Sequence, residues 1–136
     1  MIQKTFSIIK PDGVKRNLIG KIISLLEDGG LKIINVKMKQ LTENEVKVFY
    51  SAHAEKHFFT DLVDYMISGP VLLMVLEGEN AILKNREIMG ATNPKQALNG
   101  TVRNLYASSI EENTIHGSDS FESASIEIDW FEKITS

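Results

Sequence analysis

The chain has 136 residues, 43% hydrophobic and 24% charged, with 15 Lys plus Arg against 18 Asp plus Glu and a formal charge of -3. This size and composition predict one globular domain over residues 1–136 with a continuous core, and the mildly acidic balance removes the attraction on which a general nucleic-acid binder depends. With no cysteines, disulfides, thiolate zinc sites and thiol catalysis are excluded; without an apolar leader in MIQKTFSIIKPDG or a membrane-length apolar run, a cytoplasmic protein is expected.

Residues 2–9, IQKTFSII, alternate imperfectly and carry Ile, Phe and Thr, which predicts a strand. Pro11 ends it, because proline cannot donate to a sheet ladder. Leu18, Ile19, Ile22, Ile23, Leu25 and Leu26 recur at helical spacing, and Gly29 with Gly30 supplies the stop. In residues 31–40, Ile34, Val36 and Met38 alternate with Asn35, Lys37 and Lys39, predicting a half-exposed strand.

Thr42 and Glu45 form a capping-box pattern that opens a helix through about Tyr50. A second helical stretch places Phe58 beside Leu62, and Phe59 beside Val63 and Met66. Ser68-Gly69-Pro70 breaks it. The stretch 71–78, VLLMVLEG, is apolar on both parities, as befits a central strand covered on both faces. Glu79 to Met89 predicts a helix closed by Gly90. Residues 91–114 read as a long loop with short helical turns, a kind of segment more often functional than idle.

A short strand is expected near 114–117. An amphipathic helix is expected over 120–134, opened by Asp119 with Glu122 in a capping-box-like pattern. This order predicts an α+β, ferredoxin-like sandwich, a four-stranded antiparallel sheet of the split βαβ type with helices packed on it.

Several chemistries are absent. The pair Gly20-Lys21 lacks the glycine and hydroxyl of a phosphate-binding P-loop, since Lys15 and Ile22 hold those positions. There is no G-x-G-x-x-G. His53 and His57 have the spacing of helix metal ligands but no H-E-x-x-H around them, so both are expected at the surface and no protein metal site is expected.

The remaining histidine lies in NTIHGSDS, residues 113–120. A neutral imidazole is a good nucleophile near pH 7, because its unperturbed pKa is about 6.5. It can take a phosphoryl group and pass it on, splitting one transfer into two displacements. Such a site needs a group that fixes the ring, donors for phosphoryl oxygens, cations, and a surface for the leaving group. Glu127 is a candidate to orient the ring. Lys10, Arg86 and Arg103 are candidate cations, Thr92, Asn113 and Ser118 candidate hydrogen-bonding groups, and Phe58 with Leu62 a candidate apolar strip for a flat base. The alternative for His116 is a hydrogen-bonded turn residue, with Asp119 and Ser120 as caps and Gly117 present for a positive φ.

Ordered blocks across almost the whole chain carry a resemblance: TFSIIKPDGV (5–14), SGPVLLMVLEGENA (68–81), GATNP (90–94), GTVR (100–103) and ENTIHGSDSFESA (112–124). Together they resemble nucleoside diphosphate kinase, for which N-x-x-H-G-S-D-S is a highly specific signature. The resemblance implies reversible ping-pong transfer of a γ-phosphoryl group between nucleoside triphosphates and diphosphates through a phosphohistidine. Mg²⁺ would ride on the nucleotide phosphates, and the protein would be a homo-oligomer, a tetramer or a hexamer.

It implies His116 as nucleophile through Nδ1, with Glu127 on the other ring nitrogen. Lys10, Arg86, Thr92, Arg103 and Asn113 would contact phosphates and sugar. Phe58 would stack on the base, Leu62 and Ile110 would line the slot, and Tyr50 and Ser118 would support the histidine. Stacking without edge-reading hydrogen bonds tolerates any base. Leu105 and His57 depart from the family pattern, which usually has an acidic residue and a proline at those places. They favour the rival reading, a non-catalytic nucleotide-binding or protein-interaction module. An RNA-binding sheet lacks its aromatic pattern here.

Overall fold

A computed structural model describes residues 1–136. The sheet is antiparallel and four-stranded, in the order β2-β3-β1-β4: β1 (Ile2–Ile9), β2 (Lys32–Lys39), β3 (Val71–Glu79) and β4 (Ile115–Gly117). Six α-helices connect the strands and a seventh follows the last: α1 (Pro11–Lys15), α2 (Ile19–Asp28), α3 (Glu43–Phe49), α4 (Phe59–Met66), α5 (Ala81–Met89), α6 (Val102–Tyr106) and α7 (Phe121–Thr135). This is the expected ferredoxin-like arrangement. No helix is long and apolar enough to cross a membrane.

The two apolar parities of β3 explain the two-sided core. Val71, Leu73 and Val75 join Phe6 and Ile8 of β1 on one face, packed against Val46 of α3, Val63 and Met66 of α4, and Trp130 and Phe131 of α7. Leu72, Met74 and Leu76 point the other way, with Ile9, toward Ile22 and Leu26 of α2, Met89 of α5 and Val102 of α6. Full burial of each such side chain contributes about 1.5–3 kcal/mol. Both faces of the central strands are therefore sealed, and polar chemistry is left to the strand ends and the β4 edge.

Local sequence sets the boundaries. Thr42 and Glu45 form a complete capping box: Glu45 N–H donates to Thr42 Oγ1 at 3.1 Å, and Thr42 N–H donates to Glu45 Oε1 at 2.9 Å. The Trp130 indole N–H donates to the Glu45 carbonyl at 3.2 Å, fastening α7 to that helix.

Several expectations need correction. Pro11 does end β1, but it also occupies the first turn of α1, where its missing N–H costs nothing. Glu79 belongs to β3; the following helix begins at Ala81, after Asn80 takes a left-handed φ of 49°. Of the two expected caps of α7, Ser120 holds the position and Asp119 does not: Ser120 Oγ accepts from Ser123 N–H at 3.1 Å, while Asp119 accepts from the Ser123 hydroxyl at 2.8 Å. In β2 the apolar parity is exposed, with Ile34, Val36 and Met38 all open to solvent around a bulge between Ile33 and Asn35. As an edge strand it has no helix over that face.

Candidate active site

The alternation of β4 decides where the histidine points. Ile115 pairs with Ile9 and faces the α2/α5 layer, so His116, paired with Ile8, faces the α3/α7 layer. Gly117 turns back toward α5, where a Cβ would collide with Asn85 Nδ2 and Met89 Sδ. Its φ is not positive, so the expected reason for this glycine is wrong: close packing of β4 on α5 requires it.

The imidazole is fixed on one side only. His116 Nε2 lies 2.8 Å from Glu127 Oε1, which also accepts from the Ser118 hydroxyl at 2.8 Å. Ser118 is itself pinned to β1, its N–H donating to the Phe6 carbonyl at 3.0 Å. The Phe49 ring stands edge-on to the imidazole at 5.1 Å, and Tyr50 lies at 6.4 Å. With Nε2 donating to the carboxylate, the lone pair sits on Nδ1, which has no partner within the chain. Burial holds the His116 pKa below its ordinary value; the Glu127 hydrogen bond opposes this, and Lys10 and Arg103 add to the lowering. The ring is therefore neutral at neutral pH.

Cations gather at the same end of the sheet. Lys10 follows the last residue of β1, is 7% exposed, and donates from Nζ to Asn113 Oδ1 at 2.9 Å. Burial, then the Arg103 charge, lower its pKa to about 8, against a smaller upward pull from Asp12. Arg103 is held by backbone oxygens: Nη2 donates to Ile115 O at 2.7 Å, Nη1 to Gly90 O at 3.1 Å, and Nε to Asn113 O at 3.4 Å. Burial, then Arg86, bring its pKa down to about 10, leaving it charged at neutral pH. Arg86 extends from α5 and donates to the Gly117 carbonyl at 3.2 Å.

Tyr50 is buried with a hydroxyl that has no partner, and burial, then Glu127, push its pKa well above the ordinary phenol value. The Tyr50 hydroxyl is thus a buried donor left unpaired next to the His116 ring.

The structure therefore brings His116, Glu127, Ser118, Lys10, Asn113, Arg103, Arg86 and Tyr50 into one cluster. Phe58 is 40% exposed and reaches it through tilted ring contacts, 5.9 Å from His53, which lies 6.1 Å from Tyr50. Leu62 sits one turn along α4, half-buried against the core. Thr92 and Ile110 are exposed in the 91–114 segment, with no hydrogen bond or ring contact to the cluster.

The surface assignment holds for His57 but not for His53, which is half-buried with its Nδ1 enclosed and unpartnered. The two lie on a short 3-10 turn and the loop after it, so they share no helix face. Leu105 points outward from α6 at 48% exposure, while Arg103 on the same helix is buried. That departure leaves Arg103 in place. His57 stands edge-on to Phe58 at 5.7 Å, with Lys56 Nζ 5.8 Å above the Phe58 ring.

Sequence reasoning missed Phe49, Asp12, Thr114 and Tyr65. Asp12 is buried; Thr114 Oγ1 donates to its Oδ2 at 2.7 Å and the Tyr65 hydroxyl donates to its Oδ1. Only the PDG triplet hinted at it. No group of three or more His, Cys, Asp or Glu side chains is placed to hold a metal, and the polar groups around His116 are mostly cations and amides. That donor set offers few of the oxygen ligands that a hard divalent cation takes.

Comparison with known proteins agrees with this geometry. A family model described as Nucleoside diphosphate kinase matches residues 3–135. The nucleoside diphosphate kinase of Myxococcus xanthus is 57% identical over 130 residues, covering 96% of this chain and 90% of the relative. The solved nucleoside diphosphate kinase of Aquifex aeolicus superposes with a TM-score of 0.94 at 38% identity, covering 96% and 95% of the two chains. That of Encephalitozoon cuniculi gives 0.92 at 40% identity, covering 95% and 88%.

Proposed function

The chain belongs to the nucleoside diphosphate kinase family, and from that premise we propose that His116 Nδ1 is the atom that carries the phosphoryl group. The observation that supports this most strongly is the 2.8 Å contact of His116 Nε2 with Glu127, which leaves Nδ1 unpaired. In the first half-reaction the Nδ1 lone pair forms the N–P bond. The bridging P–O bond breaks, and the nucleoside diphosphate leaves with the electron pair. In the second, an oxygen of another nucleoside diphosphate attacks phosphorus and the imidazole leaves neutral. Glu127 balances the positive charge the ring acquires while phosphorylated.

Lys10, Arg86 and Arg103 serve the charge that builds on the transferring oxygens, with Asn113 and the Tyr50 hydroxyl as neutral donors and Thr92, outside the cluster, reaching the nucleotide from the 91–114 segment. Ser118 braces Glu127. The base stacks on Phe58 with Leu62 and Ile110 beside it, and stacking without edge recognition admits every nucleotide. Mg²⁺ would enter on the nucleotide phosphates and would offset part of their charge, while Lys10, Arg86 and Arg103 serve the transferring oxygens.

Residues 1–136 act as one catalytic domain, in the cytoplasm where nucleotides are interconverted. The chain assembles as a homo-oligomer, a tetramer or a hexamer. In support, β2 is an edge strand whose Ile34, Val36 and Met38 are exposed, a surface that favours pairing with another strand.

The test is incubation with ATP labelled on its γ-phosphate, with Mg²⁺, followed by GDP. An acid-labile phosphoenzyme forms and passes its label to GDP, and His116→Ala takes no label. Nucleotide binding without exchange, or equal labelling of the variant, would point instead to a non-catalytic binding module.

A further inference from the structure

We infer that Asp12 is a positioning residue for the transfer site, anchoring the Asn113–Thr114 segment and setting the place and charge of Lys10. The inference rests on the reading of Lys10 as a phosphate contact. Asp12 is buried in the first turn of α1, with Thr114 Oγ1 donating to Oδ2 at 2.7 Å and the Tyr65 hydroxyl donating to Oδ1. Thr114 has a φ of 76°, a region that β-branched residues avoid. Such a residue persists there only when its surroundings over-determine it.

Those surroundings are visible. The Thr114 side chain is tied to Asp12, and its carbonyl accepts from Lys10 N–H at 2.8 Å. Gly13 lets α1 press this close, because a Cβ there would lie 3.0 Å from Thr114 Cγ2. The residue before Thr114 is Asn113, whose Oδ1 takes the Lys10 ammonium and whose carbonyl takes Arg103. Moving Thr114 therefore moves the acceptor that holds Lys10.

Charge acts in the same direction. Lys10 faces Arg103 of α6 and His116 of β4, with Glu127 of α7 behind the imidazole and Asp12 on its own segment. Tyr65 of α4 faces Asp12 and feels Glu112. Burial and Arg103 bring the Lys10 pKa down to about 8; Asp12 opposes them. Without the carboxylate the ammonium loses its proton at lower pH.

The test compares pH profiles of kcat/KM for the full chain, Asp12→Asn and Tyr65→Phe. Asp12→Asn keeps the shape and removes the charge. Its alkaline limb is expected to move to lower pH, with the loss of kcat/KM growing from neutral pH to pH 8 and above. Tyr65→Phe removes a donor but leaves the carboxylate, so its limb stays at or above the wild-type position. An unmoved limb in a folded Asp12→Asn protein overturns the inference, as does a downward shift in Tyr65→Phe. If Asp12→Asn is not recovered folded, Thr114→Val decides: it removes the hydroxyl that ties the segment to Asp12, kcat/KM is expected to fall, and an unchanged value overturns the inference. Lys10→Ala separates the two levels: unchanged kcat/KM in that variant sinks the phosphate-contact reading itself, whereas an impaired Lys10→Ala with an unmoved Asp12→Asn limb sinks only this inference.

Discussion

His116 and Glu127 stand 2.8 Å apart, on a three-residue edge strand and on the second turn of the helix that follows it. The short connection between them contains the glycine that fits against α5 and the serine that caps α7. One local segment thus supplies the proposed nucleophile, the carboxylate bonded to its ring and, in Ser118, a second donor to that carboxylate.

Replacing Glu127 with Gln keeps the shape and removes the charge that balances the phosphorylated ring. Phosphoenzyme formation, followed by rapid quench, is expected to slow about 100-fold. Ser118→Ala, which frees the carboxylate on one side, slows it less.

The pH dependence of kcat/KM follows from two groups. The nucleophile must be neutral, and burial holds His116 below its ordinary pKa, so the acid limb lies below about 6.5. Lys10 must be protonated, so activity falls on the alkaline side through about 8. An NMR titration of the imidazole alongside the rate profile checks the acid limb, which should track His116.

Phe58→Ala removes the proposed stacking platform and little else, because the ring is partly exposed. Base stacking is worth about 1–3 kcal/mol. KM should therefore rise about 5-fold to 100-fold, by similar factors for purine and pyrimidine diphosphates, with the phosphoryl-transfer step itself little changed. A loss confined to one base would show specific edge reading instead.

Gly117→Ala is expected to destabilise the fold by about 1–3 kcal/mol, since its Cβ has no room between Asn85 and Met89. Thermal unfolding measures this directly. Leu105→Ala, at an outward-facing position of α6, should change stability by less than about 0.5 kcal/mol and leave activity intact.

Elements dictated by local chemistry were legible in the sequence. The period of residues 18–26, the Thr42–Glu45 box and the two-sided apolar run from Val71 each specify their element without tertiary help. Most of the His116 cluster was legible too: Lys10, Arg103, Asn113, His116 and Ser118 lie in ordered motif blocks, while Tyr50, Arg86 and Glu127 lie outside them. Features set by distant partners were not. The exposure of Ile34, Val36 and Met38 depends on β2 taking the sheet edge, which no pattern within that strand encodes. The Asp12–Thr114–Tyr65 cluster joins residues far apart in the chain, and a left-handed threonine leaves no mark in composition or spacing. The role of Gly117 was misread because a glycine can serve a turn or a close contact, and only the position of α5 decides which.

The most direct test is to locate the phosphoryl group in the isolated phosphoenzyme by phosphorus and nitrogen NMR. The geometry predicts phosphorylation of His116 at Nδ1, with Nε2 still protonated and bonded to Glu127. Phosphate on Nε2, or on any residue other than His116, would contradict it.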